Sequence, residues 1–214
     1  MFEPVWRNFD LLLSGYLTTI LLFVAAFIVA LPIGVVMAAM RTWGVGPMRS
    51  IATAYVEFFR NTPLLVQLFF YATFLAQLRV TRNPVQAAII GLAIYTGAFV
   101  TEVVRSGLLS VDVRQMESAR SLGLTQVQAL RHVVLPQAIR TVIPPLGNVA
   151  IALVKNTAIA SAIAAPELLQ QGGVIESRTF RLDPFLAVII GYLSLTITLS
   201  IIVARLEKRL AFER

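Results

Sequence analysis

Residues 11–40 read LLLSGYLTTILLFVAAFIVALPIGVVMAAM, about 30 consecutive positions without a charged side chain, where the apolar region of a secretory signal runs to about 15. A helix needs roughly 20 apolar residues to cross a hydrocarbon core ~30 Å thick. The stretch therefore reads as a complete membrane span. Glu3, Arg7 and Asp10 precede it, so the positively charged start of a cleaved signal is missing. The surplus length leaves room for tilt or protrusion, and Pro32 and Gly34 are expected to bend the helix near one end.

Outward from this run the pattern repeats. Further apolar stretches cover about residues 51–78, 84–104, 144–164 and 184–204, with Pro84 and the Pro144–Pro145 pair read as helix starts. Glu57 and Arg60, three apart in the second stretch, read as a pair on one helix face. The chain is thus expected to be an all-α polytopic membrane protein, one domain over residues 1–214 with five transmembrane helices. Composition agrees, since 57% of the residues are hydrophobic and 14% charged, against about a quarter charged in soluble domains. The net charge of +7 does not point to nucleic acid, because the cations are scattered between apolar runs and gather on no polar face. They sort instead by alternate loops. Arg41, Arg49, Arg105, Arg114, Arg120, Arg131, Arg140, Arg205, Lys208, Arg209 and Arg214 fall on one side, and Arg7, Arg79, Arg82, Arg178 and Arg181 on the other. Positive charge stays inside, which puts the N-terminus outside and the C-terminus in the cytoplasm. There is no cysteine, hence no disulfide or thiolate metal site. Pro166–Gln171 is expected to form a short external helix ended by Gly172–Gly173.

Residues 105–143 form the longest polar stretch in the chain, and a loop of this length ordinarily carries structure or function. Glu117, Ala119 and Gly123 precede Val127, Leu130, Val133 and Val134, an apolar series at spacings of three and four. Ala119 and Gly123, four apart, are expected to make a small-residue face that admits another backbone. Thr125 with Gln128 matches a capping box. The segment reads as two short amphipathic helices meeting at Gly123. A plain connector lying on the membrane surface is the alternative.

Glu117-Ser118-Ala119, then Gly123, then Val133-Val134-Leu135-Pro136 resembles the EAA loop of the permeases of binding-protein-dependent ABC importers, with Ser118 in place of the first alanine. Glu57-Phe58-Phe59-Arg60-Asn61-Thr62-Pro63-Leu64-Leu65-Val66-Gln67, Glu102-Val103-Val104-Arg105-Ser106-Gly107, Pro136-Gln137-Ala138 and Lys155-Asn156-Thr157 narrow the resemblance to the polar amino acid permeases. It covers about residues 13–206. What it implies is a type I importer fold in a bacterial cytoplasmic (inner) membrane. Two permeases, identical or paralogous, would each hold a cytoplasmic ATP-binding subunit through the loop around Glu117, Ser118, Ala119, Gly123, Val133, Leu135 and Pro136. An extracytoplasmic solute-binding protein would deliver a polar amino acid. At Arg114 the family commonly has glycine, and arginine takes up positive φ only at a cost, so the turn before the coupling helix is expected to differ.

Polar side chains inside spans are costly and face a cavity or a partner. Gln67, Thr96, Glu102, Lys155, Asn156, Thr157 and Ser161 are such residues. Lys155 needs an anion, and Glu102 is the nearest intramembrane carboxylate in sequence order. Two readings stay open. A Lys155–Glu102 pair locks two helices, or the two charges bind a zwitterion, with Lys155 on its carboxylate, Glu102 on its ammonium, and Asn156 and Thr157 beside them. Asparagine at 156, where the family often has aspartate, removes a negative charge and tilts the expected solute towards glutamate or glutamine.

The two lysines, Lys155 and Lys208, follow no glycine-rich turn, so the phosphate-binding loop of an ATPase is absent. ATP and Mg are expected on the partner subunit, and this chain is not expected to be an enzyme or to carry a cofactor. His132 stands alone without the companions a metal site requires. The competing class is a secondary transporter driven by an ion gradient. Such proteins often show internal repeats, and none is visible here.

Overall fold

The computed structural model describes residues 3–210; Arg214, counted above among the cations, lies outside the described residues. The one-turn helix α1 (Glu3–Arg7) leads into α2 (Phe9–Trp43), which carries the first apolar run with Pro32 inside it. The expected second span is not one helix. It divides into α3 (Gly46–Asn61) and α4 (Leu64–Gln77). Thr62, the residue before Pro63, is extended with φ −107° and ψ 140°, the conformation that a following proline imposes. The break frees carbonyls inside an apolar bundle, and Gln67 answers them. Its side-chain amide donates to the carbonyls of Phe59 and Thr62, both at 3.1 Å, and to the Thr62 hydroxyl at 2.6 Å.

Helix α5 (Pro84–Leu109) starts where its proline predicts, with the Asn83 side chain accepting the Val85 N–H at 2.9 Å. It continues to Leu109, past the expected end at 104. After it come α6 (Val113–Ser121) and α7 (Gln126–Ala129). From α7 onward the chain stays helical, through a π turn at Leu130–Val134, α8 (Leu135–Asn156) and a 3₁₀ segment at Thr157–Ile163. The fourth span therefore does not begin at Pro144–Pro145; both prolines lie inside α8. Apolar helices tolerate internal prolines where neighbouring groups re-satisfy the freed carbonyls. The polar stretch 105–143 accordingly shrinks, since both of its ends belong to long helices. Beyond the 3₁₀ segment, α9 (Leu168–Thr179) passes straight through Gly172–Gly173, which were expected to end it, and α10 (Asp183–Leu210) follows. Gly172 lies against α10, where a Cβ would stand 2.4 Å from Val188.

Among the described residues, four helical stretches are long and apolar enough to cross a membrane alone: Phe9–Trp43, Pro84–Leu109, Gln126–Ile163 and Asp183–Arg209. The 14 residues of α4 reach only about 21 Å. No strand occurs among the described residues.

Lipid offers little hydrophobic drive for helix association, so packing depends on small residues that let backbones approach. On α2 the buried positions Gly15, Thr19, Leu22, Ala26, Ala30, Gly34 and Ala38 recur every three or four residues. Gly15 and Thr19 meet the start of α9 at Leu168, while the positions from Leu22 to Gly34 meet a stripe on α5 that includes Ala88, Leu92, Gly97 and Val100. The two helices run parallel: Gly34 faces Val100 and Gly97, while Arg41 reaches Glu102 further along. Over its most apolar window α5 is 56% buried and α10 only 11%. Helix α5 is therefore the axis of the bundle, and α10 is its outer wall, antiparallel to α8 with Val203 against Gly147. This arrangement carries the ends of α2, α5 and α10, with α6, α7 and the start of α8, to one end of the molecule. The cations around Arg41 and Arg105 thus separate from those at Arg7, Arg79 and Arg178.

Candidate functional site

One face of α5 presents Tyr95, Thr96, Phe99, Glu102, Val103 and Ser106, continued by the C-cap Ser110, at intervals that keep them on a single stripe. Opposite stand Thr141, Pro145, Val149, Ala152 and Asn156 of α8. Between the two helices lie two cavities, end to end. The smaller, about 150 Å³, is bounded by Thr96, Phe99 and Asn156; the larger, about 340 Å³, by Arg60, Glu102, Ser106, Ser110 and Thr141.

Glu102 does not meet Lys155. Its carboxylate takes the Arg41 guanidinium from the end of α2 and, at 3.5 Å, Arg105 one turn along its own helix. Pro145 shares the larger cavity with Glu102 and Asn156 the smaller one with Thr96. Those two positions, 11 residues apart on α8, are separated by about 16 Å, so Lys155 stands too far along the helix. Lys155 is exposed on α8 and makes no ion pair among the described residues. In the sequence Arg41 stands just beyond the end of the first apolar run, where a charge bears on orientation. Glu57 and Arg60 also part company. Glu57 accepts from the Asn61 side chain at 3.1 Å, and the Arg60 guanidinium lies over the Phe99 ring, 5.4 Å from its centroid. Phe99 in turn packs on Tyr95 at 5.0 Å, a pair that the four-residue spacing of two aromatics foretells.

At Lys155-Asn156-Thr157 the helix tightens from α to 3₁₀, and it ends at Ala164 with φ 59°. Thr157 and Ser161 give their hydroxyl protons to Val154 and Ala158 carbonyls at 2.6 and 2.7 Å, so neither offers that donor to a ligand. Of the polar residues singled out in the spans, Thr96 and Asn156 line the smaller cavity, Glu102 lines the larger, and Gln67 serves the break before α4.

The coupling segment is built around a turn at Gly123, φ +89°. Asp112 caps α6, accepting the Arg114 N–H at 2.9 Å, and Arg114 is an ordinary helical residue, so the costly turn expected there does not exist. Thr125 and Gln128 form the full capping box. The small-residue face is corrected. Ala119 is buried against the chain itself, while a Cβ at Gly123 would touch nothing within 4 Å. Gly123 serves the turn, not a close approach. Pro136 explains the π turn, because it lacks the N–H that would bond to the carbonyl four residues back. The Leu135 N–H reaches the Leu130 carbonyl, and the Gln137 side-chain amide donates to the Val133 carbonyl at 3.0 Å. Val134 is buried and Val133 and Leu135 half-buried, whereas Glu117, Ser118 and Pro136 are exposed. Leu122 is 85% exposed and Val127 73%. Glu117 makes no ion pair among the described residues, with Arg114 and Arg120 or otherwise.

Glu167 is a further buried acid outside the groove. It is fully buried at the start of α9, where its carboxylate accepts the Leu169 and Gln170 N–H groups at 2.9 and 2.7 Å and the Tyr192 hydroxyl of α10. Burial pushes this carboxyl above the ordinary glutamate range despite those bonds. The cap signal, Glu167 before Leu168-Leu169, was there to be read.

Residues 30–212 match the family described as "Binding-protein-dependent transport system inner membrane component". The chain belongs to this family. It is an integral component of a bacterial-type inner membrane transport system. It is 43% identical over 207 residues, 96% of each chain, to the "Probable glutamine ABC transporter permease protein GlnM" of Bacillus subtilis. It is 34% identical over 211 residues to the "Glutamine transport system permease protein GlnP" of Escherichia coli strain K12, covering 97% of this chain and 96% of that one. Among solved structures, an amino acid ABC transporter crystallised with histidines superposes with a TM-score of 0.91 at 35% identity, covering 98% of both chains.

Proposed function

We propose that this chain is the permease subunit through which a polar amino acid, glutamine or a close analogue, enters the cell, driven by ATP that a separate subunit hydrolyses. The observation that carries the reading is the full-length similarity to two glutamine permeases, joined to a polar groove between α5 and α8. On this reading α3 and α4 together make the fifth membrane crossing, continuous in space although broken at Pro63. The N-terminus lies outside, and the end bearing Arg41, Arg105 and the Gly123 turn lies in the cytoplasm, as the charge distribution favours.

The exposed pair Leu122 and Val127 beside the unpaired Glu117 forms the surface for a cytoplasmic ATP-binding subunit, which holds ATP and Mg. Between that surface and Asn156 the backbone is helical almost without interruption. A push on α7 therefore moves α8 as a body and arrives at the 3₁₀ segment, since a stiff element transmits what a flexible loop would absorb. A second permease, identical or paralogous, completes the pathway, and an extracytoplasmic binding protein delivers the solute. Asn156 offers an amide without a charge at the smaller cavity, which favours glutamine over a cationic solute. Lys155, free beside it, is the cation available to a carboxylate on the partner side.

Proteoliposomes holding this chain, its ATPase and its binding protein are expected to take up L-[³H]glutamine only with internal or external ATP supplied to the ATPase side. Lys155→Ala lowers uptake, and Asn156→Asp shifts preference towards arginine. Replacing Glu117 and Val127 together releases the ATPase on purification. Uptake by this chain alone under a sodium or proton gradient would instead establish a secondary transporter.

A further inference from the structure

The two cavities of the α5–α8 groove do not merge, and the group between them is a stacked pair. Phe99 lines the smaller cavity and Arg60 the larger, with the guanidinium over the ring. Arg60 is exposed in the last turn of α3, just before the break at Pro63, and lies over Phe99 of α5; with α3 and α4 crossing the membrane, an ionised side chain there is expensive and marks a functional site. Every anion in reach has another partner. Glu102 is taken by Arg41 and Arg105, and Glu57 accepts from Asn61. Among the described residues Arg60 donates to no acceptor, so its planar set of donors is open towards the larger cavity. That cavity, at about 340 Å³, falls within the ~300–1,000 Å³ of small-molecule sites. It also carries the Ser106 hydroxyl, which makes no hydrogen bond among the described residues.

We propose that the larger cavity is a second station on the solute's route, in which Arg60 receives the α-carboxylate, and that the Arg60–Phe99 stack is the partition the solute must part to reach it. This rests on the reading that the groove conducts an amino acid. A guanidinium binds a carboxylate through two parallel hydrogen bonds and also lies flat on an aromatic face. The same group therefore has two exclusive resting places. Over Phe99 it closes the passage. Drawn to a carboxylate in the larger cavity, it leaves the ring and opens it. The exchange couples passage to the presence of a solute with a free carboxylate, and the cluster of Arg41 and Arg105 on one Glu102 keeps the station net positive once the solute is there.

The test uses the complete transporter in proteoliposomes, with L-[³H]glutamine as probe and ATP hydrolysis followed in the same vesicles. For Arg60→Gln, uptake is expected to fall at least about tenfold, the worth of a hydrogen bond to a charged group, while hydrolysis stimulated by the loaded binding protein persists. Arg60→Lys keeps the charge and recovers part of the uptake. Phe99→Leu removes the ring face, and vesicles preloaded with glutamine are expected to leak it without ATP faster than wild type. Wild-type uptake in Arg60→Gln overturns the proposal. So does a parallel loss of uptake and hydrolysis combined with no leak in Phe99→Leu, which is the pattern of a merely structural arginine. If wild-type vesicles move no glutamine or other polar amino acid, the amino acid reading itself has failed, and this one falls with it.

Discussion

Glycine does opposite work in two parts of this molecule. In the seam between α2 and α5, Gly34 and Gly97 are there because nothing larger fits. A Cβ at Gly34 would lie 2.3 Å from Val100, and one at Gly97 2.7 Å from the Tyr55 hydroxyl and 2.9 Å from Ile33. In the coupling segment Gly123 has open space around it and a φ of +89°, so its requirement is torsional and the surroundings are indifferent. The seam is specified by volume and the segment by backbone conformation. The first holds the bundle together where lipid offers no hydrophobic drive; the second aims a short lever at a partner. Substitutions at the two places should therefore fail in different ways.

The largest effect is expected in the seam. Gly34→Val pushes branched carbon into Val100, and overpacking of this kind costs about 3 kcal/mol when the backbone cannot shift. The purified chain should unfold at a visibly lower temperature in detergent, and a compensating Val100→Ala should recover much of the loss. No change in melting would mean that α2 and α5 are not held at this distance.

How far the sequence announced this architecture differs from place to place. Helix α2 was plain, because a long uncharged run admits one explanation in chemistry. The seam was equally present, as Ala26, Ala30, Gly34 and Ala38 at intervals of four, but a reading by hydropathy counts alanine and leucine alike and misses a stripe defined by size. The break at Thr62–Pro63 was hidden by the apolar residues on both sides. It shows that a proline inside an apolar run must be read for the carbonyls it frees, and Gln67 was the visible answer. Pro144–Pro145 misled in the other direction, since proline marks a helix start only when the preceding residues do not already form one. The Arg41–Glu102 pair is not legible from intramembrane residues alone, because it takes parallel packing to bring the end of α2 beside the end of α5. Nothing local in Thr157–Ile163 foretells 3₁₀ geometry; Ala160 of this segment is buried in the core with Leu22 and Leu92.

In the coupling segment the expected losses are smaller and of another kind. Gly123→Ala meets no clash, and holding an L-residue near this φ costs about 1–2 kcal/mol. Because the turn lies outside the seam, the penalty should appear as weaker retention of the ATPase, with the melting temperature of the chain itself nearly unchanged. Asparagine, which tolerates positive φ, should be milder than alanine. A strong drop in melting for Gly123→Ala would erase the distinction between the two regions. Thr125→Ala removes one half of the capping box and is expected to cost about 1 kcal/mol, again read as weaker ATPase retention.

The smallest effect sharpens the comparison by subtracting both requirements. Gly173 lies inside α9 with helical backbone, and a Cβ there would meet nothing within 4 Å. Neither volume nor torsion calls for glycine, which was first read as a helix terminator. Glycine within a helix is worse than alanine by about 0.5–1 kcal/mol, the entropy of the freer unfolded backbone. Gly173→Ala should therefore raise the melting temperature slightly. Gly172→Ala, one residue earlier but pressed 2.4 Å from Val188 of α10, should lower it. Two adjacent glycines would then respond with opposite signs. If both substitutions destabilise, α9 is not the continuous helix described here, and the pair acts as the stop that its sequence first suggested.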